Sequence, residues 1–348
     1  MQIRLKNIIT AVSLVISSCS IALIIGEFYF RFFNPQPIVP RYVETSVYGI
    51  RKNIGNVRGR MVTPEYQHNF NTNAQGFRGT KEYAVDKPAN VYRIIVLGDS
   101  VALGHGVEDN ETFSALLEEQ LSSERPTEVI NMGVSGFGTA EELIQLQNLG
   151  IKYDPDIVIL TYFQNDPYNN AVCRLFTVKN GELCRHENSF VPAMYLRDRL
   201  YKIPGYAFLS QHSHLLNFLR HRFSRYFLQK LGEEIKVTRV IPHTLTDEQA
   251  TLTALLINKI ISITGEKEIP LVVLNIPSVR GKYLINNLPV ELIDFNEMAY
   301  VVDCTKELYD KYDAEVLAYK RDCHLTPFTH RLIGELLADF IKAELWRM

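Results

Sequence analysis

A serine, a histidine, a carboxylate and an amide stand at separated points of the chain where they could jointly perform acyl transfer. Gly98-Asp99-Ser100 directly follows the β-branched run Tyr92–Leu97. A serine so placed ends a strand and enters a turn, at the sheet edge where open α/β folds bind ligands. Gly98 permits the sharp turn, and Gly104 and Gly106 keep the next loop unobstructed. Asp322-Cys323-His324-Leu325-Thr326 precedes the last expected helix. A histidine there could take the serine proton and return it to a leaving group. A carboxylate on its other nitrogen would fix the tautomer. His330, in the first turns of that helix, reads instead as a packing or capping residue. Asn165-Asp166 could offer an amide to an oxyanion, or simply begin a helix. The run Asn131 to Thr139, NMGVSGFGT, could turn backbone N–H groups toward an anionic oxygen, or be a plain turn. Each string is weak alone; Gly-Asp-Ser arises in roughly one chain in ten of this length.

Positioning these groups requires an α/β frame, and one is legible from residue 91 onward. Tyr92–Leu97, Val129–Met132, Asp156–Phe163 and Leu271–Ile276 read as buried strands. Helical spacing covers Glu111–Leu121 and Thr139–Leu149, with Thr139 as the expected N-cap. Another helix opens on the capping box Thr246-Asp247-Glu248-Gln249 and closes at Gly265. A last one spans about Thr329 to Leu345. Strands alternating with helices predict a mostly parallel sheet covered on both faces. Residues 171–245 break the rhythm. Arg197, Arg199, Lys202, Arg220, Arg222 and Arg225 alternate there with aromatic side chains. This stretch is expected to be a helical insertion: packing with a solvated basic face, an active-site lid, or a contact for anionic lipid headgroups.

The first residues differ from the rest. Arg4 and Lys6 precede an uncharged run from Asn7 to Gly26, closed by Glu27. About 20 apolar residues suit a bilayer-spanning helix, whereas a cleaved signal carries about 7–15. Positive charge before the run keeps the N-terminus cytoplasmic and exports the remainder of the chain. Ile16-Ser17-Ser18-Cys19 offers a competing reading, lipoprotein processing at Cys19. Residues 1–31 are thus expected as stub and anchor, 32–90 as a proline-punctuated linker or preface, and 91–348 as the main domain. A net charge of -2 gives no basic field for nucleic acid. Four cysteines lie beyond the anchor, and an exported domain allows the pairs Cys173–Cys184 and Cys304–Cys323. The alternative is four free thiols. No CxxC, HExxH or GxSxG motif is present, and His212-Ser213-His214 lacks carboxylate or thiolate partners. Neither a metal nor another cofactor is expected.

Ser, Gly, Asn and His in this order resemble the block pattern of the SGNH (GDSL-like) hydrolase superfamily. The resemblance runs from about Tyr92 to the C-terminus, on GDS, VSGFGT, QNDPYNN and DCHLTPFTH. It implies a three-layer α/β/α sandwich with a flavodoxin-like sheet. It implies Ser100 as nucleophile, and Ser100 N–H, Gly136 N–H and Asn165 as the oxyanion hole, with Gly133 as a second choice for the glycine. It implies His324 as general base with Asp322 behind it. Many members space the last pair as DxxH, whereas this chain has DxH. The anchor and the NxxGFRG segment also look like membrane-anchored bacterial members. The implied activity is ester hydrolysis through an acyl-serine, on O-acyl groups of a glycan or on a small ester. Acyl transfer by the same residues, and a catalytically silent binding domain at the membrane, are the alternatives.

Overall fold

A computed structural model describes residues 2–186, 194–234, 245–280, 283–322 and 324–346. Five parallel strands form the central sheet: β1 (Tyr92–Leu97), β2 (Thr127–Asn131), β3 (Ile157–Phe163), β4 (Leu271–Ile276) and β5 (Ala299–Asp303). Their order is β2-β1-β3-β4-β5. This is the flavodoxin-like order, whose switch point lies between β1 and β3. Every residue of β1, β3 and β4 is buried. That is why these strands read as continuous apolar runs.

Helices cover both faces, giving three layers. Alternate strand residues divide between them, as the two-residue period requires. Ile95, Leu97, Val158 and Leu160 pack with α3 (Thr139–Asn148) and α7 (Asp247–Gly265). Ile94, Val96, Ile157 and Ile159 pack with α2 (Phe113–Ser122) and α8 (Pro327–Phe340). The earliest helix, α1, is Gln2–Phe32. Between α3 and α7 lie α4 (Asp166–Cys173), α5 (Tyr206–His212) and α6 (His214–Glu234). The expected capping box at Thr246 is present.

Several expectations need correction. The helix expected to be capped by Thr139 has Gly138 at its N-cap; Thr139 is already helical and fully buried. Cys173, Cys184 and Cys304 are free thiols, so neither proposed disulfide is present. Cys173 turns inward and donates to Asn170 O at 3.3 Å, while Cys184 sits opposite Thr177 in a hairpin. Burial pushes the Cys173 thiol up to about 12. Cys304 is completely buried, and Cys323 lies outside the described residues.

Residues 32–90 are not a free tether. Two antiparallel hairpins, Val43–Thr45 with Arg51–Asn53 and Arg58–Val62 with Gln67–Asn71, pack onto the carboxyl edge of the sheet. Tyr42 OH donates to Ser135 Oγ at 2.8 Å, and Asn53 Nδ2 to Gly133 O at 2.8 Å. His68 Nε2 accepts from Gly106 N at 3.2 Å.

His330 is buried as expected, and its Nδ1 accepts from Phe113 N at 3.2 Å. Burial first, then Arg78 and His324, pull its pKa down to about 3. The folded value lies below the unfolded one of about 6.5, so the unfolded chain binds the proton more tightly. This contribution to stability is complete above pH 6.5 and is lost as pH falls toward 3. At pH 4.5 the loss should reach about 2–3 kcal/mol. A His330→Asn variant, which retains an acceptor but does not titrate, should lack it. Urea midpoints across this range, compared between wild type and variant, check the expectation.

Candidate active site

Ser100 opens the short helix Ser100–Leu103 immediately after β1. Asp99 caps that helix, accepting from Val101 N at 2.7 Å. Gly98 is required by close approach: a Cβ there would lie 2.6 Å from Ala102 Cβ and 2.9 Å from Thr161 Cβ. The loop carrying His324 returns to the same edge before α8, whose N-cap Thr326 accepts from Thr329 N. His324 Nε2 lies 2.9 Å from Ser100 Oγ. Its Nδ1 lies 3.1 Å from Asp322 Oδ1. That approach is close enough for an ion pair but departs from the ring N–H direction, so Nδ1 makes no well-aligned hydrogen bond. The short DxH spacing noted in the sequence leaves little chain to swing the carboxylate into line.

The preface completes this arrangement. Tyr66 OH donates a short hydrogen bond to Asp322 Oδ2. The Glu65 carboxylate accepts from Arg321 N at 2.9 Å and Asp322 N at 2.9 Å. Burial pushes the Asp322 carboxyl up, but His324 and the Tyr66 hydroxyl outweigh it and hold the group well below the usual carboxylate range. Sequence reasoning missed Tyr66 and Glu65, which lie over 250 residues from the loop they hold. It also passed over His105, between the two glycines after Ser100. The His105 ring centroid is 4.5 Å from that of His324. Burial, then the His324 charge, pull the His105 pKa well down. Donor atoms of His105, Asp322 and His324 lie within 4.8 Å of one another, a grouping that could hold a divalent ion.

The glycine loop after β2 packs against the short helix that Ser100 opens: a Cβ on Gly133 would lie 2.5 Å from Leu103 N. Gly133 N is engaged by Asn131 Oδ1 at 3.0 Å. Gly136 adopts φ +81, and a Cβ there would stand 2.3 Å from Arg51 Nη1. Arg51 Nε donates to Glu141 Oε1 at 3.0 Å, and its Nη2 makes a short contact with Oε2 of this fully buried carboxylate. Asn165 is the N-cap residue of α4, and its Nδ2 donates to Asp99 Oδ2 at 3.0 Å. Burial raises the Asp99 pKa against hydrogen bonds from Val101 and Asn165. Burial and the neighbouring acids push Glu142 and Asp166 well up, which favours their neutral forms.

The structure thus brings together Ser100, His324 and Asp322 beside the switch point, with Asn165 joined to the neighbouring Asp99 and Gly136 set against Arg51. An open groove of about 560 Å³, lined by Lys87, Asp154, Asp156 and Lys267, lies elsewhere. It sits where the chain enters β3 and β4, at the sheet edge opposite Ser100, away from the place where such sheets bind ligands.

No family model matches the chain, and no curated protein matches it. Solved structures do. A G-D-S-L family protein from Desulfitobacterium hafniense is 12% identical at TM-score 0.37, over 71% of this chain and 98% of that one. A psychrotrophic esterase from Pseudoalteromonas sp. is 13% identical at TM-score 0.37, over 72% and 97% of the two chains. An acetylxylan esterase from Geobacillus stearothermophilus is 10% identical at TM-score 0.41, over 72% and 94%.

Proposed function

We propose that this chain is a serine ester hydrolase acting through an acyl-serine, on O-acyl groups of a glycan or on a small ester. The observation that carries the reading is the relay itself. His324 Nε2 stands 2.9 Å from Ser100 Oγ and His324 Nδ1 stands 3.1 Å from Asp322 Oδ1, beside the switch point. In the proposed reaction Ser100 Oγ attacks the ester carbonyl as its proton passes to His324 Nε2. The Asp322 carboxylate favours the imidazolium that forms. The oxyanion would be met by Ser100 N–H, Gly136 N–H and the Asn165 amide. His324 then gives its proton to the departing alcohol. Water repeats the sequence and frees the acid.

Helix α1 is long and apolar enough to cross a membrane: an 18-residue stretch within Lys6–Phe32 has a mean hydropathy of 2.5. We read it as an uncleaved anchor that keeps the N-terminus cytoplasmic and the catalytic domain on the extracytoplasmic side.

The test uses the full chain in detergent. A fluorophosphonate should label Ser100, as located by peptide mass spectrometry, and p-nitrophenyl acetate should be cleaved. Labelling elsewhere, or full activity in Ser100→Ala, would sink the reading and leave a silent binding domain. Product analysis separates hydrolysis from transfer: free acetate against an acylated acceptor.

Gly136→Ala probes the oxyanion loop. An alanine at this left-handed position is strained by about 1–2 kcal/mol. The added Cβ also meets an arginine that Glu141 holds in place. If the Gly136 N–H is turned from the oxyanion, kcat should fall by about 100-fold or more. Parallel measurements of kcat and Tm distinguish that effect from simple loss of fold.

A further inference from the structure

Helix α6 begins where the apolar span of α1 ends. The Glu27 carboxylate accepts from Ser213 Oγ at 2.8 Å, His214 N at 3.1 Å and Leu215 N at 2.9 Å. It thereby satisfies N–H groups that the first turn of α6 would otherwise leave unpaired. Phe30 stacks on Phe218 with ring centroids 4.2 Å apart. Arg31 Nη2 donates to His212 O at 2.6 Å, and Gln36 N to His214 Nδ1 at 2.9 Å. These contacts fall between residues 26–36 of α1 and its following turn and residues 212–218. The base of α6 is therefore fixed at the level where α1 leaves its apolar stretch.

Past Phe218 the helix extends away from these contacts. Leu219, Phe223, Tyr226 and Phe227 are exposed by 51%, 61%, 61% and 37%. Their spacing of i, i+4, i+7 and i+8 puts them on one side of the helix. Arg220 and Arg222 flank that stripe, with Arg225 further round, and the Arg222 guanidinium lies over Phe218 at 5.5 Å. On the preceding segment Phe208 and Leu209 are exposed by 64% and 49%. Soluble helices normally bury such a stripe against a core. An apolar stripe with arginine flanks suits the boundary between acyl chains and headgroups. Arginines beside a bilayer also favour anionic lipid.

We propose that α6 is an interfacial helix, lying on the bilayer leaflet from which α1 emerges, with Leu219, Phe223 and Tyr226 in the acyl boundary and the arginines on anionic headgroups. The partner is the bilayer that holds the chain's own anchor. The proposal rests on reading α1 as a membrane-spanning helix, and is independent of the ester chemistry. Its consequence is orientational: two attachments, rather than one flexible stalk, would fix the site relative to the membrane surface.

The full chain contains one tryptophan, Trp346, so fluorescence can be placed at will. In a Trp346→Phe background, Leu23→Trp reports on the anchor and Phe223→Trp on α6. The proteins are reconstituted into nanodiscs of phosphatidylcholine and phosphatidylglycerol, with or without lipids brominated near the headgroup or at the chain end. The expected result is quenching of residue 23, about 10 Å from the middle of the apolar run, by both sets of bromines, and of residue 223 by the shallow ones alone, while wild-type Trp346 is unaffected. Replacing Arg220, Arg222 and Arg225 with Gln should lower the ratio of engaged to free helix by about 100-fold. Quenching at 23 without quenching at 223 overturns the interfacial helix and leaves the anchor intact. A blue-shifted but unquenched residue 223 that depends on protein density shows a second copy covering the stripe, and also overturns it. Loss of quenching at 23 removes the anchor reading and the proposal together. Cleavage of p-nitrophenyl acetate, followed in each variant, reports separately on the catalytic domain.

Discussion

Replacing His324 with alanine should lower kcat for p-nitrophenyl ester cleavage by about 10⁴–10⁶-fold, and Ser100→Ala should do the same. Without the imidazole 2.9 Å from Ser100 Oγ, the hydroxyl has no acceptor for its proton during attack and the leaving alcohol has no donor. The two losses should not add. Each removes a part without which the other does nothing, so the double variant should resemble either single one. His324 is partly exposed, so truncation should leave Tm nearly unchanged. His330→Ala is the informative contrast: it should destabilise the fold through Phe113 N, with a far smaller effect on kcat in the protein that remains folded. Steady-state rates and thermal melts on the same preparations decide this. A His324→Ala enzyme within ten-fold of wild type would exclude the relay.

Asp322→Asn should reduce kcat by about 10³–10⁴-fold while leaving KM little changed. An amide at this position no longer favours the charged imidazole and can hold it in the wrong tautomer. Tyr66→Phe tests the layer behind. It removes one hydrogen bond to Asp322 and leaves the carboxylate in place, so the loss should be about ten-fold in kcat, the order expected for one charge-assisted hydrogen bond. A purely packing role for Tyr66 predicts a lower Tm with kcat little changed in the protein that remains folded. A positioning role predicts the fall in kcat at nearly constant Tm and KM.

The position of Asp322 shows how the preface bears on the candidate site. Its carboxylate is held from one side by His324 and from the other by a tyrosine of the second preface hairpin, and its backbone N–H is held by Glu65. Arg51, from the first hairpin, stands beside Gly136 while paired with buried Glu141. The loop that carries His324 and the glycine loop after β2 are therefore both braced by a segment that resembles a linker when read by composition alone.

Much of this protein was legible in one dimension. The runs YRIIVL and IVILTYF are strands because every residue is apolar or sheltered, and only a strand covered on both faces tolerates that. Ser100, Asn165 and His324 could be picked out because each stands next to a strong local signal, a buried strand or a helix start. Local signals did not reach β5, whose sequence AYVVD is short and partly exposed at a sheet edge. Nor did they separate Gly138 from Thr139 at a cap, since both residue types suit that place. Even cysteine counts mislead about pairing when the thiols face different parts of the fold. The amino-acid sequence by itself determined the α/β layering, the long apolar helix near the N-terminus and the residue types available for chemistry, because these arise from periodicity and propensity over a few neighbours. Only the tertiary structure decided the strand order, the brace of Tyr66 and Glu65 on Asp322, and the seat of α6 on α1, because each depends on which distant surfaces close-packing brings together.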